Sequence, residues 1–132
     1  MSEPTEGFEI KNLDDLEDSA PQFGFGELGE ARFATKQMGL AQAGFSFHRI
    51  KPGKRQAFGH HHDKAEEVYV VVSGSGRVKL DDEIHEISRL DAIRVAPPIV
   101  RAFEAGPEGL EVLVFSQHFE SDGELVHDWW TD

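Results

Sequence analysis

The chain has 132 residues, with 25 acidic against 13 basic, for a formal net charge of −12. That length makes one domain able to bury a core, and the acidic surplus excludes the basic face that nucleic acid or an anionic membrane would need. With no cysteine, disulfides and thiolate chemistry are excluded, and a bound metal must use His, Asp or Glu.

The opening MSEPTEGFEI lacks a basic region followed by an apolar stretch, and no run reaches the length of a membrane span, so a soluble cytoplasmic protein is expected. Residues 1–7 are polar and read as a loosely attached terminus. Phe8, Ile10, Leu13 and Leu16 are spaced as a short strand and then a helical turn over 12–17, stopped before Pro21. Residues 22–29 read as an irregular packed loop, with Phe23 and Phe25 as core filler. A strand is expected over 30–35.

Residues 43–50 alternate clearly: Phe45, Phe47 and Arg49 on one face, Ser46, His48 and Ile50 on the other. Lys51-Pro52-Gly53 turns the chain into GKRQAFGHHHDKAEEVYVVVSG, residues 53–74. By strand parity Gln56, Phe58, His60 and His62 share a face and His61 points away. After a turn over 63–65, Glu67, Tyr69 and Val71 fall on one face of the next strand, and Val68, Val70 and Val72 on the other. Apolar residues on both faces predict a strand covered on both sides, as in a sandwich or a dimer.

Ser73-Gly74-Ser75-Gly76 reads as a turn. Residues 77–80 and 83–87 read as a hairpin around Asp81-Asp82. Strands follow over 92–95, 100–105 and 110–117, the last two separated by a turn at Gly106-Pro107-Glu108-Gly109. Pro97-Pro98 forces another turn. Trp129 and Trp130 near the end read as a cap on the core or part of a subunit interface. Eight to ten short strands with turn signals and no helix of ordinary length make an all-β sandwich or barrel.

Two imidazoles on one strand face and a carboxylate returned by a short turn form a transition-metal donor set. Written as spacing, Gly53, His60, His62, Glu67 and Gly74 give G-x6-H-x-H-x4-E-x6-G. This resembles the first motif of the cupin superfamily, with six residues between Gly53 and His60 where that family more often has five. The resemblance implies a double-stranded β-helix, or jelly-roll barrel. It implies an N-terminal arm over 1–29, a barrel over 30–118 and a C-terminal tail over 119–132.

It also implies a second motif similar to G-D-x-x-x-V-P-P-G-x-x-H-x-x-x-N, whose histidine is a fourth ligand. Residues 90–105 occupy that register. Asp91, Val95 and Pro97 match, but Arg101 stands at the histidine and Ala105 at the asparagine. Arginine is always protonated and has no lone pair for a metal. Two consequences are open. His60, His62 and Glu67 hold a divalent Fe, Zn, Mn or Ni while Arg101 orients an anionic small molecule; or the barrel is metal-free and Arg101 pairs with Glu67 in the metal's place.

Gln56, Tyr69 and Phe103 share the faces of these residues and are expected to line a ligand pocket. His48, His85, His118 and His127 are isolated in sequence and read as surface or satisfied histidines, with His118 the one alternative fourth ligand. An enzyme of this kind would be a metal-dependent oxygenase, isomerase or decarboxylase, a choice that a fold does not make. A homodimer is expected from the both-faces-apolar strand.

Overall fold

A computed structural model describes residues 7–131; the polar start over 1–6 lies outside the described residues. Among the described residues eight strands follow one another: β1 Gly29–Phe33, β2 Ala43–Ile50, β3 Phe58–His62, β4 Glu67–Leu80, β5 Glu83–Ser88, β6 Ala92–Val95, β7 Arg101–Gln117 and β8 Gly123–His127. Among the described residues one α-helical turn, α1, spans Ala34–Gln37. It takes the end of the strand expected over 30–35.

Two long strands build the architecture. β4 and β7 are antiparallel along nearly their whole length, from Glu67 opposite Ser116 to Leu80 opposite Arg101. The pairing is broken by register shifts between Val71 and Ser73 and between Gly74 and Gly76. Before the break, residues 67–74 of β4 lie between β6 and the second half of β7, which continues to β2 and β1. After it, residues 76–80 lie between β5 and the first half of β7, which meets β3 and, beyond it, β8. The result is two half-sheets that share two bent strands, a jelly roll.

The sequence-expected turns at Ser73-Gly74-Ser75-Gly76 and Gly106-Pro107-Glu108-Gly109 are therefore corners within strands. Glycine marks a corner as readily as a chain reversal, because a bulge needs left-handed backbone or close backbone approach. Gly74 has φ +78°, and a Cβ there would lie 2.0 Å from the Gly109 carbonyl oxygen. A Cβ on Gly76 would lie 2.0 Å from the Glu104 oxygen. With Leu110 opposite Gly74 and Ala105 opposite Gly76, residues 106–109 arch outward at the bend. The glycine that closes the first motif thus has a mechanical role in joining the two half-sheets.

The hairpin around Asp81-Asp82 forms as expected, with Leu80 opposite Glu83. Residues 8–11 form no strand; Asn12 caps a 3-10 turn at Leu13–Asp15 by accepting the Asp14 N–H. β8 pairs with β3 from Phe58 opposite His127 to His62 opposite Gly123. Beyond it, Trp130 is buried, with the Arg55 and Arg77 guanidinium carbons 4.2 and 5.5 Å from its ring centre.

The core between the half-sheets includes Ile50, Val71, Val78, Phe103, Leu110 and Val112. Burial of each such side chain stabilises the fold by about 1.5–3 kcal/mol relative to exposure. On β4, Tyr69 and Val71 are buried, whereas Val68, Val70 and Val72 are half-buried. The outward face of this strand is thus less covered than its inward face.

Candidate metal centre

The site forms where the half-sheets face each other. From one come His60 and His62 on β3 and Arg101 at the start of β7; from the other come Glu67 and Tyr69 at the start of β4. His60 and Arg101 are direct cross-strand partners, which places their side chains on one face. Glu67 and Tyr69 are two residues apart on a strand and so share a face. The tight turn between His62 and Glu67 is what brings the carboxylate over the histidines.

His60, His62 and Glu67 each offer one ligand atom, and these atoms all lie within 4.8 Å of one another. His60 Nε2 is 3.3 Å from Glu67 Oε1, and His62 Nε2 is 3.3 Å from Glu67 Oε2. The rings of the two histidines meet edge to face at 5.4 Å. Each carboxylate oxygen therefore faces one imidazole.

Glu67 Oε1 is further held. It accepts hydrogen bonds from the Tyr69 hydroxyl and from Arg101 Nη2, the latter at 2.7 Å. The guanidinium is fully buried. Its Nε donates to the Tyr69 oxygen at 3.1 Å, and its Nη1 donates to the carbonyls of Pro97 and Ile99 at 3.2 and 2.7 Å. Of its five N–H groups this leaves one on Nη2 without a named acceptor. The Pro97 carbonyl also accepts the His62 N–H at 2.8 Å, so one peptide ties Arg101 to the histidine strand.

Burial pushes the Glu67 carboxyl upward, but contacts with His60, His62 and Tyr69 outweigh it and hold the group below the usual carboxylate range. Glu67 stays ionised. Desolvation lowers His60 despite the neighbouring Glu67 charge, which favours the neutral imidazole that metal ligation requires. Burial raises Tyr69 well above its ordinary value, so it acts as a neutral donor.

His62 is the exceptional group. Its Nε2 and Nδ1 are both buried and neither has an aligned hydrogen bond. Each lies 3.3 Å from a carboxylate oxygen, Nε2 from Glu67 Oε2 and Nδ1 from Asp122 Oδ2, but the contacts are close in distance and poor in direction. A buried imidazole nitrogen without a partner costs about 1–3 kcal/mol. An unpartnered nitrogen beside a second imidazole and an ionised carboxylate is the donor set of a divalent transition metal. These residues fit such an ion, with Glu67 Oε2 the oxygen left by the Arg101 and Tyr69 contacts.

The remaining sequence-predicted residues are placed as follows. Phe103 packs its ring 4.8 Å from Tyr69, in the core beneath the site. Gln56 sits at the edge of β7, where its Oε1 accepts the Phe103 N–H at 3.0 Å. His118 pairs with Glu120 at 3.1 Å and is not among the grouped ligands. His61 turns to Glu124 at 3.5 Å. Glu66 faces away and meets Arg94 at 3.4 Å.

Two residues of the neighbourhood had no distinctive signal. His48 lies on the inward face of β2 with Ile50, its Nε2 2.9 Å from the Ser46 hydroxyl. Burial, with a smaller contribution from His60, pushes it down to about 4. The period-2 alternation of β2 gave its face but not which face is inside. Asp122 lies in the loop between β7 and β8 and is buried. Its carboxylate accepts the N–H groups of Lys64 and Ala65, and its backbone oxygen accepts that of Asp63. Nothing in its local sequence marks it.

A surface cleft of about 480 Å³, lined by Arg77, Glu86 and Glu104 among others, lies away from these residues and shares none of them. No helix among the described residues is long and apolar enough to cross a membrane.

No family model matches the chain, and no curated protein matches it. Solved structures do. A cupin protein from Bacteroides fragilis is similar over 89% of each chain at 20% identity, with a TM-score of 0.70. The polyketide cyclase RemF from Streptomyces resistomycificus is similar over 95% of this chain and 88% of its own at 15% identity, TM-score 0.73. Oxalate decarboxylase from Bacillus subtilis is similar over 92% of this chain at 22% identity, TM-score 0.69, and this chain spans 34% of it. At these identities the likeness is one of fold.

Proposed function

For a chain that folds as a small cupin barrel, we propose a divalent-metal protein in which His60, His62 and Glu67 hold the ion and a small anionic molecule binds beside it. The observation that carries this reading is His62 Nε2, buried, unpartnered and 3.3 Å from Glu67 Oε2. Iron, zinc, manganese and nickel all suit two imidazoles and a carboxylate. When bound, the ion would supply Lewis acidity to a coordinated ligand.

Charge explains the anionic ligand. Arg101 already offsets Glu67, at 2.7 Å. A divalent ion added to neutral imidazoles would leave surplus positive charge in a buried place, which an anion offsets. Arg101 itself contributes mainly by holding Glu67 Oε1, with its single remaining Nη2 hydrogen toward a ligand. Tyr69 and Phe103 form the floor, and Gln56 the outer edge. Fold neighbours named as a decarboxylase and a cyclase are in keeping with small-molecule chemistry. If the protein is an enzyme, oxygenase, isomerase and decarboxylase chemistry all remain within this class.

Metal analysis of protein purified without an affinity tag tests the proposal. Near-stoichiometric metal in the unaltered chain, lost in His60→Ala and His62→Ala, is expected. Equal content in all three would sink it. The Arg101–Glu67 contact favours a second reading, a metal-free barrel that binds an organic anion with the guanidinium in the ion's place. A chelator that lowers the melting temperature argues against that second reading; one without effect argues for it.

We also infer a cytoplasmic homodimer. Val68, Val70 and Val72 are half-buried on the outward face of β4, opposite the 42%-exposed Phe115 of β7. A second copy is the simplest cover for that face. Sedimentation equilibrium on the unaltered chain and on Val70→Glu tests it, with a dimer expected only in the former.

A further inference from the structure

We propose that Asp122 is the positioning residue of the centre: its carboxylate accepts a hydrogen bond from the Nδ1–H of His62 and thereby presents the Nε2 lone pair toward Glu67. This rests on the reading that His60, His62 and Glu67 hold a divalent ion.

The geometry is specific to one ligand. Asp122 Oδ2 lies 3.3 Å from His62 Nδ1, on the opposite side of the ring from Glu67 Oε2. A neutral imidazole has one N–H and one lone pair, and the carboxylate nearer the N–H determines which nitrogen is free. Arg101 and Tyr69 engage Glu67 Oε1, which leaves Oε2, the oxygen facing His62, for the ion. Asp122 has only backbone donors, from Lys64 and Ala65, and the nearby His62 ring. With the ion held between His62 Nε2 and Glu67 Oε2, Nε2 must carry the lone pair, so the ring's one proton is on Nδ1, where Asp122 Oδ2 is the acceptor 3.3 Å away. The contact is close in distance, 3.3 Å, and not yet aligned as a hydrogen bond.

The same carboxylate sets the ligand turn. It binds the N–H groups of Lys64 and Ala65, in the segment that separates His62 from Glu67. The adjacent Gly123 backs the His62 ring, where a Cβ would meet Cε1 at 3.3 Å. One loop residue thus aligns the second histidine and holds the turn that returns the carboxylate. Carboxylate partners of ligating histidines typically contribute 10–100-fold to metal affinity.

Zinc is the probe. Chelator competition should show Zn(II) bound about 10–100-fold more weakly by Asp122→Asn than by the unaltered chain, at unchanged fold by circular dichroism. The amide keeps an oxygen for the Lys64 and Ala65 N–H groups, so the turn is preserved while the charge is lost. In the zinc-loaded unaltered chain, nitrogen-15 NMR should show His62 metallated at Nε2 and protonated at Nδ1. The Nδ1 proton should move upfield in Asp122→Asn while the His60 nitrogens stay in place, a change that a purely structural role would not produce. His62 metallated through Nδ1, or equal zinc affinity in the two proteins, overturns the proposal. Failure of the unaltered chain to bind zinc or any other divalent ion overturns the parent reading as well, and is distinguished by being seen before any substitution.

Discussion

Arg101 Nη2 donates to Glu67 Oε1 across the barrel at 2.7 Å, from the position where the cupin second motif carries a histidine. The guanidinium is fully buried and makes four hydrogen bonds, two of them to the Pro97 and Ile99 carbonyls in the loop between β6 and β7. It is both the counter-charge of the site and a brace between Pro97, Ile99 and β4.

Removing that brace should be costly. Arg101→Met leaves Glu67 a buried carboxylate without its cation, and loss of one partner of a buried pair costs about 3–5 kcal/mol. Urea unfolding should show a lower midpoint at similar slope. A change below about 1 kcal/mol would mean that Glu67 rearranges to water.

Arg101→His tests the other role. It removes a positive charge beside the ligands and adds an imidazole to the strand position opposite His60. Divalent-metal affinity should rise on the order of tenfold or more, equivalent to about 1.4 kcal/mol. Isothermal titration with Zn(II) checks it, and a fall in affinity would count against placing the ion between these strands.

The pH dependence of stability should have a component from His48. Its folded value of about 4 lies below the ordinary 6.5, so the folded state binds fewer protons than the unfolded chain between those values. The stabilisation is complete above pH 6.5 and is lost as pH falls through about 4. After allowance for its partial exposure the contribution is on the order of 2 kcal/mol. His60, also lowered by burial, acts in the same direction. Glu67, held below the carboxylate range, adds a further loss at more acid pH. Denaturation midpoints from pH 7 to pH 4 should fall less steeply in His48→Gln; identical slopes would refute the assignment to His48.

The corner glycines should be intolerant. Gly76→Ala places a methyl 2.0 Å from the Glu104 oxygen, a backbone atom that cannot swing aside. Gly74→Ala adds a left-handed φ of +78° to a similar clash. Both should be more destabilising than Leu110→Ala, a core truncation worth about 2–5 kcal/mol. Thermal unfolding of the three variants gives the order directly.

Much of this protein was legible from residue pattern alone. Alternation in β2 and β4 and the His60, His62 and Glu67 spacing express a period of two, which depends only on local backbone geometry. The hairpin at Asp81-Asp82 and β6 were equally local. Two glycine-rich segments misled because a tight turn and a strand corner make the same local demand for positive φ and close approach. Only the pairing of β4 with β7 distinguishes them.

The first motif and the arginine that replaces the second motif's histidine were set by sequence: which donors exist, at what spacing, and that Arg101 gives no lone pair. Tertiary structure decided where that arginine goes. The His60–Arg101 cross-strand pair and the approach of β4 bring its guanidinium onto Glu67 Oε1. Packing likewise brought Asp122 to His62 across sixty residues of chain and turned His48 inward. The reason is physical: strand periodicity assigns a side chain to a face, but only the folding of one half-sheet onto the other determines which faces meet.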